Sequence, residues 1–180
     1  MSEQMPEKKE TSIESTMPKF EKDVADLVTK KFPSNVEILS IQPKRIQLST
    51  KSENIIEVAQ FIRDELGFDH AESVTGLDHP DEGQIELVYH LGSYTDESLA
   101  SQVLSISTRV PREEIPNPGN DSTKIASLRE VFYSVEFHER ECFEMLGIYF
   151  EGHPDNRRLL LPEDWADLPP LRRDFKIKGR

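Results

Sequence analysis

The sequence predicts an α+β fold: a mixed or antiparallel sheet with helices mainly on one face, then a helix and an extended C-terminal docking arm. Three observations carry this. Apolar residues recur at helical spacing over 20–32 and 55–66, and alternate with polar ones in short runs between 71 and 110, so helices and strands are both required. A chain of 180 residues has the size of one core plus tails. Residues 148–180 then lose periodicity and hold seven Lys and Arg against six Asp and Glu, a net +1 beside the −13 carried by residues 1–147.

Element by element, residues 1–17 are charged and hydroxylated with almost no large aliphatics, and are expected to form a disordered tail. Thr16 and Pro18 predict a helix start, and Phe20, Val24, Leu27, Val28 and Phe32 give it an apolar face up to Pro33. Two β-prone runs, 36–41 and 45–49, are separated by Gln42-Pro43-Lys44, which predicts a hairpin. Ser52 is expected to cap a second helix, with Ile55, Ile56, Ala59, Ile62 and Leu66 on one face and Gly67 as its stop. Strands follow at about 71–77, 85–91 and 103–110, where Leu104, Ile106, Thr108 and Val110 alternate with polar neighbours. The Pro-, Gly- and Asn-rich stretch to Asp121 is an exposed connection. From Ser127, Leu128, Val131, Phe132, Val135, Cys142 and Leu146 predict one helix, broken near Ser134 and stopped by Gly147. The α+β domain is therefore expected over 18–147, and a basic, Pro-rich docking arm over 148–180. Leu159–Leu161, Trp165 and Phe175 give that arm an interface-like composition, the bland alternative being a segment that wraps its own domain.

Composition excludes several function classes. A formal charge of −12 disfavours nucleic acid as a partner. No apolar run approaches a membrane span and no secretion signal opens the chain, so a soluble, unexported chain is expected. One cysteine, Cys142, excludes an internal disulfide and a four-thiolate iron–sulfur cluster built by this chain alone. No phosphate loop, haem-attachment motif or His-Glu-x-x-His helix is present. These absences predict that the chain itself binds no cofactor and no metal.

His138 and Cys142, four apart, with His153 as a third group, allow a different reading: a stand-alone thiol or metal hydrolase. The bland alternative is that Cys142 is ordinary core, and Cys142→Ala separates the two, since a hydrolase loses its activity and a core cysteine leaves only a small packing cost. The charges of Glu139, Arg140, Glu141 and Glu144 form either a solvated helix face or a partner surface locked by arginine–carboxylate geometry. A small acidic binding module is a third class.

Taken together, Glu139-Arg140-Glu141, Glu144-Met145-Leu146-Gly147-Ile148, Phe150, Gly152-His153-Pro154, Arg157-Arg158-Leu159-Leu160, Pro162-Glu163-Asp164-Trp165 and Pro170-Leu171-Arg172-Arg173-Asp174-Phe175 closely resemble one family signature. It is that of the 30 kDa subunit of respiratory complex I, also called the C subunit of NADH-quinone oxidoreductase, with equivalents in deazaflavin-linked dehydrogenases. Ser73–Asp78 and Leu87–Leu91 also look like its strand motifs. The chain has Glu144 where the family usually has Asp, Leu146 for Phe, Phe137 near its Trp, and Arg173-Asp174-Phe175 for Lys-Asp-Tyr. These departures point away from the common bacterial enzyme and leave the electron donor open among NADH, reduced deazaflavin, ferredoxin and hydrogen.

The resemblance implies an accessory, non-redox subunit on the cytoplasmic side of the cell membrane, in the peripheral arm of an ion-translocating, quinone-reducing complex. Its implied partners are the hydrogenase-like subunit that shapes the quinone pocket and the subunit holding the terminal iron–sulfur cluster. Iron–sulfur clusters, a flavin and quinone would belong to the complex; a membrane-bound hydrogenase is the alternative setting. In this reading Glu139, Arg140, Glu141, Glu144 and Gly147 fix the helix and its contacts, and Gly152, His153 and Pro154 turn the chain. Arg157, Arg158, Arg172, Arg173 and Asp174 anchor the arm by charge, with Trp165, Leu171 and Phe175 as apolar anchors. Arg172→Glu is then expected to weaken assembly without unfolding the free domain.

Overall fold

Alternation along the strands decides which side of the sheet is covered. The computed structural model describes residues 18–177, so the tail expected at 1–17 lies outside the described residues. Helix α1 (Lys19–Lys31) is followed by β1 (Val36–Gln42), β2 (Arg45–Thr50), α2 (Ile55–Leu66), β3 (His70–His79), β4 (Gln84–Gly92) and β5 (Val103–Pro111). Strand β6 (Lys124–Ala126), α3 (Val135–Leu146) and β7 (Tyr149–Glu151) complete the order. The main sheet runs β1-β2-β5-β4-β3; β2 and β5 are parallel and the other neighbours antiparallel, so the sheet is mixed.

Register puts Ile46, Leu48, Leu104, Ile106, Ile85, Leu87, Tyr89 and Leu91 on one face, and all are almost fully buried. They form a single core with Val24 and Val28 of α1, Ile55, Val58 and Ile62 of α2, and Val135 and Leu146 of α3. The expected α+β architecture with helices on one face is borne out. The opposite face carries Gln47, Ser49, Ser105, Ser107, Glu86 and His90. Ser105 and Ser107 are buried although they face away from the helices, because small side chains on the central strand are shielded by their neighbours.

Local signals placed most boundaries. The hairpin turn is Pro43-Lys44, with Lys44 at φ 64 and its N–H donated to Glu21 Oε1 at 2.6 Å. Gly67 and Gly147 adopt left-handed φ of 77 and 81 and end α2 and α3, as expected of helix stops. Two boundaries differ from expectation. A 3₁₀ turn over Ser52–Asn54 intervenes before α2, so Ser52 is not its cap. Residues 128–134 form turns rather than helix: the Val131 and Phe132 N–H groups both donate to Leu128 O at 2.8 Å, which tightens the backbone before α3 begins.

The arm also begins later than residue 148. Ile148 and Phe150 are fully buried in the core, and β7 pairs in parallel with β6, so the chain leaves the domain only after Glu151. Gly152, at φ 83, makes that exit turn. From there to residue 177 the backbone has turns and bends but no helix or strand. Among the described residues no helix is long and apolar enough to cross a membrane.

Candidate partner interface

Helix α3 has two jobs, set by its periodicity. Val135, Glu139, Cys142 and Leu146 face the core, and Gly76 of β3 makes room for them: a Cβ there would stand 2.0 Å from Leu146 Cδ1. Arg140 and Glu144 point instead at the returning arm.

Glu139 is fully buried and belongs to the core, not to a partner surface. Its carboxylate accepts the Leu128 N–H at 2.9 Å, the Tyr89 hydroxyl at 3.3 Å and the Ser127 hydroxyl, tying the 127–128 corner and β4 to α3. Burial pushes its pKa up to about 7 against these stabilising hydrogen bonds.

Glu144 is the arm's seat. Its carboxylate accepts the N–H groups of Leu159, Leu160 and Leu161 at 2.8–3.0 Å, so three successive amides wrap one anion. Arg140, one turn earlier, donates Nε to Arg157 O at 3.1 Å and Nη2 to Arg158 O at 2.8 Å. Arg158 gathers the next loop by donating to Pro162, Glu163 and Trp165 carbonyls. Arg157 is paired with Asp155, whose carboxyl it holds down at about 2, with Arg140 adding to the effect.

The far end of the arm is anchored on the sheet. Arg172 is 2% exposed and donates Nε to Leu146 O at 2.7 Å and Nη1 to Glu113 O, so it caps the C-terminus of α3. The Leu171 N–H donates to Met145 O at 3.0 Å. The Arg173 N–H donates to Asp78 at 2.8 Å, while its side chain is exposed. Arg112 bridges the two segments, contacting Asp78 at 2.6 Å and Asp174 at 2.8 Å. Burial raises Asp78, but the Arg112 guanidinium and the Arg173 N–H outweigh it and hold the carboxyl below its usual range. Trp165 and Phe175 pack on each other with centroids 5.9 Å apart, and the indole N–H reaches Leu168 O.

The expected charged anchors are therefore corrected in direction. Arg140, Arg158, Glu139 and Glu144 spend their polar atoms within the chain, because each lies against backbone groups that would otherwise lack partners, and Arg172 does so with Nε and Nη1 while its buried Nη2 has no hydrogen-bond partner among the described residues. Side chains pointing outward are apolar: Phe137 is 59% exposed, Leu160 61%, Leu171 58% and Ile177 62%. Of the expected charged anchors, Glu141, Arg157, Arg173 and Asp174 are exposed, and Pro154 is exposed at the turn. Sequence reasoning missed Arg112 and passed over Asp78 as part of a strand motif. The available signal was that Asp78 sits on the inward register of β3, opposite Ile85, where an unpaired charge is costly.

The hydrolase reading loses its nucleophile. Burial, with Glu141 and Glu139 nearby, pushes the Cys142 thiol up to about 12. His153 is engaged at both ring nitrogens, Nε2 donating to Glu136 O at 3.1 Å and Nδ1 accepting the Asp155 N–H at 3.0 Å. No group of three His, Cys, Asp or Glu among the described residues could hold a metal ion.

The chain is similar to known proteins over most of its length. The C subunit of F(420)H(2) dehydrogenase from Methanosarcina mazei is 34% identical over 154 residues, covering 85% of this chain and 90% of that protein. The C subunit of NADH-quinone oxidoreductase from Roseiflexus sp. (strain RS-1) is 36% identical over 135 residues, covering 73% and 70%. A chain of the membrane-bound sulfane sulfur reductase, an archaeal respiratory membrane complex, superposes with TM-score 0.69 and 25% identity over 87% of this chain and 86% of its own. The trypsin-resistant fragment of Nqo5 shares the fold, with TM-score 0.58 and 22% identity over 74% of this chain and 97% of the fragment. Residues 48–180, which include the arm and both its anchors, match the description "respiratory-chain NADH dehydrogenase, 30 Kd subunit", and the chain belongs to that family.

Proposed function

We propose that this chain is an accessory, non-redox subunit of the peripheral arm of an ion-translocating, quinone-reducing oxidoreductase, held on the cytoplasmic side of the cell membrane by its partners. The observation that carries the reading is the division of labour in the arm. Its backbone is pinned to α3 by Glu144, Arg140 and Arg172, while Phe137, Leu160, Leu171 and Ile177 are left more than half exposed. A pre-ordered segment offering large apolar side chains binds a partner without the entropy cost of ordering it. The partners we assign are the quinone-pocket subunit and the terminal iron–sulfur subunit. Clusters, flavin and quinone are assigned to neighbouring chains. The M. mazei relative favours F(420)H(2) over NADH as donor, since this chain covers 90% of its length.

A second setting, a hydrogenase- or sulfur-reductase-type membrane complex, is favoured by the TM-score of 0.69 to the sulfane sulfur reductase chain. Native mass spectrometry of the tagged chain, purified from its own membranes in mild detergent, tests both. Co-purification with an iron–sulfur subunit and a hydrogenase-like large subunit is expected, and the input module present names the donor. Recovery as a lone monomer would sink the subunit reading.

A further inference from the structure

Where α3 crosses the edge strand β3, a cavity of about 190 Å³ opens beside the Gly76–Leu146 contact. Its floor is Gly76, Cys142 and Leu146; Met145, Glu141 and Leu171 stand at its rim. Resting on the subunit reading above, we propose that this cavity seats one large apolar side chain of a neighbouring subunit, carried beside a lysine or arginine.

Size and wall chemistry select the side chain. The hollow has room for about six waters by liquid volume, yet its walls are mostly aliphatic and offer such waters few partners, so an apolar group displaces them favourably. The floor is also uncharged, because burial keeps the Cys142 thiol protonated, pushed up to about 12. Leu171, 58% exposed and held at the rim by its N–H bond to Met145 O, adds an apolar lip that excludes water around a seated group.

Charge selects the neighbour. On α3, Arg140 and Glu144 are both consumed by the arm, whereas Glu141 is exposed and makes no ion pair among the described residues. On a chain of net charge −12, a cation from outside the chain complements that carboxylate.

The test uses the complete complex from native membranes, with a photoreactive benzoylphenylalanine at Met145, half-buried on α3 one turn after Glu141, and, separately, at Leu160. A Met145 crosslink to an apolar residue within two positions of a Lys or Arg of another subunit is the expected result. Glu141→Arg should then lower incorporation at least about tenfold with an unchanged melting temperature of the free chain, and converting the crosslinked cation to Glu should restore it. A Met145 probe that stays uncrosslinked while the Leu160 probe captures a subunit overturns the cavity proposal and leaves the subunit reading standing. Capture of an acidic segment, a lipid or a second copy of this chain at Met145 also overturns it. Silence at both positions with the chain recovered alone removes the subunit reading as well.

Discussion

Glu139 shows how one buried carboxyl couples this domain to pH. Its pKa in the folded chain is about 7 against an ordinary 4.5, because burial outweighs the Ser127, Leu128 and Tyr89 hydrogen bonds. The folded state therefore keeps a proton that the unfolded chain has released. Stability from this group is fully present below about 4.5 and is lost as pH rises through about 7. A shift of that size corresponds to about 3 kcal/mol at pH 8. Urea unfolding of the free chain should show wild type losing stability between pH 5 and 8, and Glu139→Gln should flatten that slope; an unchanged slope in the variant would contradict the assignment. Arg172 gives the opposite lesson. Reversing it to Glu puts a carboxylate against the carbonyl end of α3 and near Asp78 and Asp174, which already act on it electrostatically. The free domain should lose roughly 3 kcal/mol or more, so the expectation that this change spares folding is replaced. A variant with wild-type thermal stability would restore it.

At the scale of elements, α3 is stable in its place because β3 lacks a side chain at Gly76 and because the arm closes over its outer face. The arm has no regular hydrogen-bond ladder of its own, so its order depends on side chains of α3. Glu144→Ala should leave three amides without their acceptor, costing about 1–3 kcal/mol. Hydrogen exchange at Leu159–Leu161 should accelerate at least about tenfold in the variant while the β4 and β5 amides stay protected. Equal protection in variant and wild type would show that Glu144 does not hold the arm.

For the whole molecule, the polar groups that look like an interface mostly complete the fold, and the apolar groups that look like core are partly left out of it. Leu160→Asp and Phe137→Asp replace exposed side chains, so each should leave the free chain's melting temperature within a few degrees of wild type. Incorporation into the complex, read as the fraction of tagged chain co-eluting with other subunits, should fall at least about tenfold for the pair together. Normal co-elution would mean that these side chains face solvent in the assembly too.

The sequence by itself determined the fold class, the order of helices and strands from α1 to β5, the glycine stops at Gly67 and Gly147 and the family signature over 139–175. These are local matters: a period of two or three to four, or a left-handed backbone angle, is decided within a few neighbours. Tertiary structure alone decided that Arg172 is buried, that Glu144 binds the arm's amides, and that the domain keeps β7 before the arm departs. Those outcomes depend on partners far along the chain. Arg172 meets Glu113 across 59 positions, and the Arg173 amide meets Asp78 across 95. No periodicity reports such a meeting, because whether a charge lies inside or outside is set by the backbone groups that happen to need it there.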